Sequence, residues 1–186
     1  MSTDFFSVRK ESHLPGQIIL IGTSHTYQYR HEEAQANLIE QFKQLLLWLC
    51  STYAVIAIAE EMNEEALAEG GASESVPQEV AKELNVRHQF SDPSRTLRRQ
   101  LGVLQENDIR AGAFIKGWTE QQVVSQIKQS HAIREQYWFD QLRLLDLWPV
   151  LFICGANHAQ SFSALLSDKG IEVVVPFSDW DARLSL

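Results

Sequence analysis

The chain has 186 residues, of which 45% are hydrophobic and 22% charged. That length suits one core, since a single domain holds about 100–200 residues. A formal charge of −8 and a pI near 5.2 exclude a dedicated nucleic-acid surface, which needs a basic footprint. A small anionic ligand held by a local arginine cluster is still allowed.

The two cysteines, Cys50 and Cys154, make neither a disulfide framework nor a CxxC pair. A reducing compartment fits them. Residues 1–16 lack the apolar core with basic flanks of a signal peptide. The apolar runs fall short of the ~20 residues of a membrane span. The expectation is a cytoplasmic protein with no nucleic-acid or membrane partner. A homo-oligomer is left open.

Residues 1–16 read as irregular, and a single α/β domain is expected over 17–186. Ile18 to Ile21 is apolar without alternation, as in a strand of a parallel sheet buried on both faces. From His31 to Cys50 the apolar positions recur every three or four residues, predicting a helix. Ala54 to Ala59 is a second buried strand, stopped by Glu60-Glu61. Short helices are expected over 63–69 and 76–84, the latter with a proline in its first turn. Val86 to Phe90 is a weaker strand ended by Asp92-Pro93. Ser94 to Leu104 reads as a helix carrying Arg95, Arg98 and Arg99. Residues 106–118 are the least readable. Thr119 to Leu147 reads as one long helix, followed by the strand Val150 to Cys154, a helix over 161–167 and a last strand, Ile171 to Val175. This alternation predicts an α/β fold with a mostly parallel central sheet flanked by helices.

One local design occurs twice. Gly22-Thr-Ser-His25 and Gly155-Ala-Asn-His158 each follow a buried strand and precede a helix. Two polar turn residues at helix starts would explain each copy. A shared site explains both, because ligands of open α/β sheets bind at the carboxyl ends of the strands. A helix N-terminus disfavours positive charge, so each imidazole is expected to be neutral, ready to bind a metal or accept a proton. Glu60, Glu61 and Asp92 also sit at strand ends. Acids at a strand or helix end are otherwise ordinary solvated or turn residues.

Arg134 lies 14 residues before Trp148, about 21 Å along the helix at 1.5 Å per residue. The following strand returns about 17 Å, which brings Arg134 level with His158. His31 falls near the same rim. Arg134 and His131 lie on the core-facing stripe of their helix, where a charge needs a partner. Glu60, Glu61 and Asp92 are the candidates, with Glu135 adding to the network. Arg95 and its neighbours are either a solvated face or a holder of anionic substrate. Cys154 reads as core.

In chain order, IGTSH, AEEM, IREQYWFDQL and LFICGANH together resemble a superfamily of Tiki proteases, TraB/pheromone-shutdown proteins, ChaN-like haem-binding proteins and erythromycin esterases. The resemblance spans residues 17 to about 175. It singles out Glu61 and Arg134, and it implies a site of His25, Glu61, Arg134 and His158 on an α/β fold. Tiki-like members are metal-dependent peptidases, the esterases open a lactone with a histidine base, and ChaN-like members bind haem. The chain lacks the membrane helices of Tiki and TraB proteins and is far shorter than the esterases.

The expectation is a hydrolase of a small ester, amide or peptide. His25, Glu61, Arg134 and His158 would be catalytic, and Asp92, His31, Arg95 and Glu135 would contact substrate. In one version His25, Glu61 and His158 ligate a divalent Zn, Mn or Fe ion. In the other a histidine is the general base without metal, Glu61 orients it and Arg134 stabilises the oxyanion. The alternative is a binding or sensor protein for an anionic ligand or haem.

Overall fold

The computed structural model describes residues 16–29 and 36–184. Its elements run β1 (Gln17–Thr23), α1 (Ala36–Thr52), β2 (Ala57–Glu60), α2 (Glu64–Glu69) and α3 (Val76–Leu84). They continue as β3 (Arg87–Phe90), α4 (Arg95–Leu101), α5 (Glu106–Lys116), α6 (Glu120–Leu145), β4 (Val150–Gly155), α7 (Ala156–Asp168) and β5 (Glu172–Trp180). The five strands form one sheet in the order β3-β2-β4-β1-β5. Every pairing is parallel. The described residues form a single α/β domain, with seven α-helices flanking the sheet.

The continuous apolar strands are explained by cover on both faces. Successive side chains of a strand point to opposite faces. Ile19 and Ile21 therefore join Phe42, Leu46, Leu49 and Val80 beneath α1 and α3. Ile18 and Leu20 join Trp138, Leu142, Phe162 and Leu166 beneath α6 and α7. The segment that was hardest to read is α5. It packs Ile109 and Ala113 on Val123 of α6, away from the two main cores. β5 runs to Trp180, five residues beyond its expected end, and its register to β1 slips twice. No helix among the described residues is long and apolar enough to cross a membrane.

Helix boundaries follow local chemistry. Thr119 caps α6 in a reciprocal pair with Gln122, and Asp146 ends it in the left-handed conformation. Ser75 caps α3, with Pro77 in the first turn.

Strand order positions the site. β4 returns between β1 and β2, so the carboxyl ends stand side by side as β3, β2, β4, β1. The residues that follow those ends are Asp92, Glu61, His158 and His25. Two glycines permit this closeness. A Cβ on Gly22 would stand 2.0 Å from the Ser178 carbonyl oxygen and 2.9 Å from Ala159 Cβ. A Cβ on Gly155 would stand 3.0 Å from His25 Nε2.

Substitution at Gly22 therefore forces β5 away from β1. Gly22→Ala is expected to cost at least about 1–3 kcal/mol, the usual range for overpacking. Gly112, inside α5, meets nothing within 4 Å, so Gly112→Ala should instead gain about 0.5–1 kcal/mol from helix propensity. Urea unfolding of both variants checks the pair; equal effects would contradict the close approach at Gly22.

Candidate functional site

Glu61 is the centre of the strand-end cluster. It follows β2, and its side chain is fully buried. The neighbouring Glu60 points to the opposite face, as strand alternation requires. There Glu60 accepts from the Ser75 hydroxyl and contacts His88 Nε2 at 2.8 Å. The two adjacent acids thus serve different sides of the sheet.

Each oxygen of Glu61 has a distinct role. Oε2 accepts from the Gly155 backbone N–H at 2.7 Å. Oε1 is 2.7 Å from Arg134 Nη1, an ion pair out of line for a hydrogen bond. The same Oε1 faces His25 Nε2 at 3.5 Å and His158 Nε2 at 3.8 Å. The two ring nitrogens are therefore no farther apart than those two distances laid end to end. His25 and His158 share one site.

The far side of each imidazole is anchored. His25 Nδ1 bonds Gln28 Oε1 at 2.7 Å, and His158 Nδ1 bonds Glu135 Oε1 at 2.8 Å. Both partners are oxygen acceptors, which assigns the proton to Nδ1 in each ring and turns Nε2 inward. Glu135 is itself buried and accepts from Ser161 Oγ at 2.7 Å. The sequence placed Glu135 against substrate; here it holds the His158 ring.

Arg134 bridges two carboxylates. Its Nε donates to Asp92 Oδ1 at 2.5 Å, while Nη1 faces Glu61. Asp92 Oδ1 also accepts from Trp138 Nε1 at 3.1 Å. Asp92 Oδ2 pairs with Arg98 and accepts from Asn63 Nδ2 at 3.3 Å. Arg95 does not join them. It lies one helical turn earlier on an exposed face, paired with Glu69. Arg98 takes the inward position instead. His31 lies outside the described residues.

These contacts set the charge states. Partial loss of hydration opposes a charge on His25, whose side chain is still 45% exposed, but Glu61 beside it prevails and raises its pKa to about 9. Burial likewise opposes the Glu61 carboxylate, yet Arg134 and His25 hold it well below the ordinary range. His25 is thus an imidazolium at neutral pH and not the neutral ring expected at a helix start, because the Glu61 carboxylate 3.5 Å away outweighs that effect. Cys154 is fully buried and its thiol is pushed well above its usual pKa, foremost by burial. It is core, as the sequence implied, and no nucleophile.

His131, on the inner face of α6, belongs to the site although no role there is expected of it from the sequence. Its ring centroid is 4.1 Å from that of His158. Burial, with the neighbouring His158, holds its pKa below the ordinary histidine value. It lines three adjoining cavities. One of about 500 Å³ contains His25, Glu61, Arg134 and His158. One of about 340 Å³ runs toward Asp92 and Arg98, and one of about 710 Å³ runs between α6 and α7. Cavities of this size accept small molecules. The stripe spacing of His131 with Arg134 and Trp138 was the available signal for its inward position.

A metal can be held here. His131, Glu135 and His158 offer ligand atoms that lie within 4.8 Å of one another. Only His158 is shared with the set expected from the sequence. At Glu61 the positive charges of Arg134 and His25 already surround the carboxylate. A divalent ion on His25, Glu61 and His158 would have to displace a proton and stand against a guanidinium. Among the described residues, the ligand atoms that converge within 4.8 Å are those of His131, Glu135 and His158.

The raised pKa of His25 has a direction for stability. Its folded value of about 9 exceeds the unfolded value of about 6.5. The stabilisation is fully present below about pH 6.5 and is lost as pH rises through about 9. Imidazole NMR of metal-free protein should show His25 titrating near pH 9, and Glu61→Gln should bring it down. A His25 titration unmoved by Glu61→Gln would remove Glu61 as the cause.

Comparison with known proteins finds no family model, no curated protein and no solved structure that matches this chain.

Proposed function

We propose that the protein is a hydrolase that cleaves a small ester, amide or peptide by acid–base chemistry between His158 and His25. One observation carries this reading. Two imidazoles face the same carboxylate oxygen from anchored positions, at 3.5 and 3.8 Å, and their environments differ. His158 is hydrogen-bonded to a buried carboxylate through Nδ1, whereas His25 is held protonated by Glu61. Paired groups in contrasting environments are how acid and base roles are divided in one site.

The roles follow from the contacts. Glu135, steadied by Ser161, fixes the His158 tautomer and offsets charge on the ring after it takes a proton. His158 Nε2 removes a proton from the attacking water. The water oxygen bonds to the substrate carbonyl carbon, and the carbonyl electron pair moves to oxygen. Arg134 and the His25 imidazolium stabilise that oxyanion. When the carbonyl re-forms, the bond to the leaving group breaks and His25 Nε2 supplies its proton.

Glu61 and Asp92 position the cations. Arg134 is gripped by Asp92 at 2.5 Å and by Glu61 at 2.7 Å, so its guanidinium is preorganised and needs no rearrangement during the reaction. The 500 Å³ cavity over these groups supports a small substrate or one short segment of a larger one.

Loss of the base is the direct test. His158→Ala should lower kcat by about 10²–10⁴-fold, the usual contribution of a positioned acid or base. Glu135→Gln should lower it less, since His158 remains. Because His25 must be protonated, kcat should fall as pH rises through about 9, and activity should persist after treatment with a chelator. A panel of aryl esters, anilides and short peptides read across pH checks these outcomes. A protein that binds members of the panel yet turns none over, and loses binding in His25→Ala, would be a sensor or binding protein instead. Activity abolished by chelation and restored by metal would sink the metal-free mechanism.

A further inference from the structure

We infer that His131, Glu135 and His158 form a zinc-class site whose occupancy switches the acid–base pair off. The consequence for turnover rests on the hydrolase reading; the metal site itself does not.

The ligand set is built by two helices. His131 and Glu135 are four residues apart on α6, hence one turn apart on the same face. His158 lies in the first turn of α7, which packs against α6. Glu135 and His158 are buried, and His131 is half-buried at the cavity wall. Two imidazoles and a carboxylate suit Zn²⁺ or Co²⁺. Three protein ligands leave further positions for water.

Spacing agrees with this. Ligands bonded at about 2.0–2.2 Å to one ion stand no more than about 4.4 Å apart. His158 Nδ1 and Glu135 Oε1 are already at 2.8 Å. The widest spacing in the group is 4.8 Å, which a small rotation of His131 closes. Its ring is half-buried at the cavity wall and meets His158 at a tilt of 44°.

Metal and base cannot coexist on His158. A neutral imidazole has one N–H and one lone pair. If the ion takes Nδ1, the proton moves to Nε2, and the lone pair that faces Glu61 and His25 is gone. If the ion takes Nε2, it consumes that lone pair directly. In either case Glu135 is drawn to the metal and ceases to hold the ring for catalysis. No oxidant or second reactant is needed, since the exchange replaces a hydrogen bond by metal–ligand bonds. The second imidazole, His25, is anchored separately on Gln28 and Glu61 and takes no part.

The experiment is calorimetric titration of metal-free full-length protein with Zn²⁺, paralleled by Co²⁺ absorption. One ion per chain is expected. His131→Ala and Glu135→Gln should weaken it by at least about tenfold, the smaller end of the losses seen for residues that support metal ligands. His25→Ala and Glu61→Gln should leave it unchanged. Circular dichroism identifies any variant that fails to fold, and His131→Gln replaces His131→Ala in that case. Absence of saturable binding overturns the site, as does binding that survives loss of His131 or disappears with Glu61→Gln. Where turnover is measurable, saturating Zn²⁺ should abolish it in wild type but leave His131→Ala at that variant's own zinc-free rate. Turnover that persists in zinc-loaded wild type overturns the switch while the calorimetry still reports the site. If no substrate is cleaved, the hydrolase reading fails and the calorimetry alone decides the metal.

Discussion

A carboxylate buried at the end of a sheet must be neutralised, and the strand-end architecture is arranged around that need at Glu61. An unpaired buried charge is far costlier than any single packing contact. Glu61 is met by the Arg134 guanidinium, the His25 imidazolium and the Gly155 amide. These partners come from β4, from the long helix α6 and from the turn after β1. One buried acid therefore ties three separated segments to one point. The same interaction sets the chemistry, because Glu61 keeps His25 protonated and leaves His158 to a different carboxylate.

The two glycines belong to this arrangement. Gly22 allows the Ser178 carbonyl to approach β1, and Gly155 leaves room for the His25 ring while its amide reaches Glu61. The glycine of one motif thus seats the histidine of the other. The relation runs one way, since Gly22 meets Ser178 and Ala159 and not His158.

Several residues were legible because strands and helices have fixed repeats. Uninterrupted apolar strands announced a sheet covered on both faces, and the five parallel strands accord with that. Arg134 could be placed near the rim because helix rise and strand rise are constant, and it lies against Glu61 and Asp92. Less legible was which of three arginines turns inward. The sequence reading favoured Arg95, whereas Arg98 reaches Asp92, because helix phase relative to a neighbour depends on packing and not on composition. β5 was cut short at Val175 because its outer half is exposed and interrupted by Pro176, leaving no apolar run to read.

The amino-acid sequence by itself determined the α/β alternation, the strand ends as the place where polar residues gather, and the identity of the paired motifs. These follow from local periodicity and from backbone rules that act within a few residues. Only the tertiary structure decided that β4 lies between β1 and β2, and so that His158 stands between His25 and Glu135. Strand order depends on which strands find each other across many residues, and local pattern does not encode it. The same is true of His131. Its position on an inward stripe could be read, but its ring contact with His158, and the ligand group that results, required α6 and α7 to be brought together.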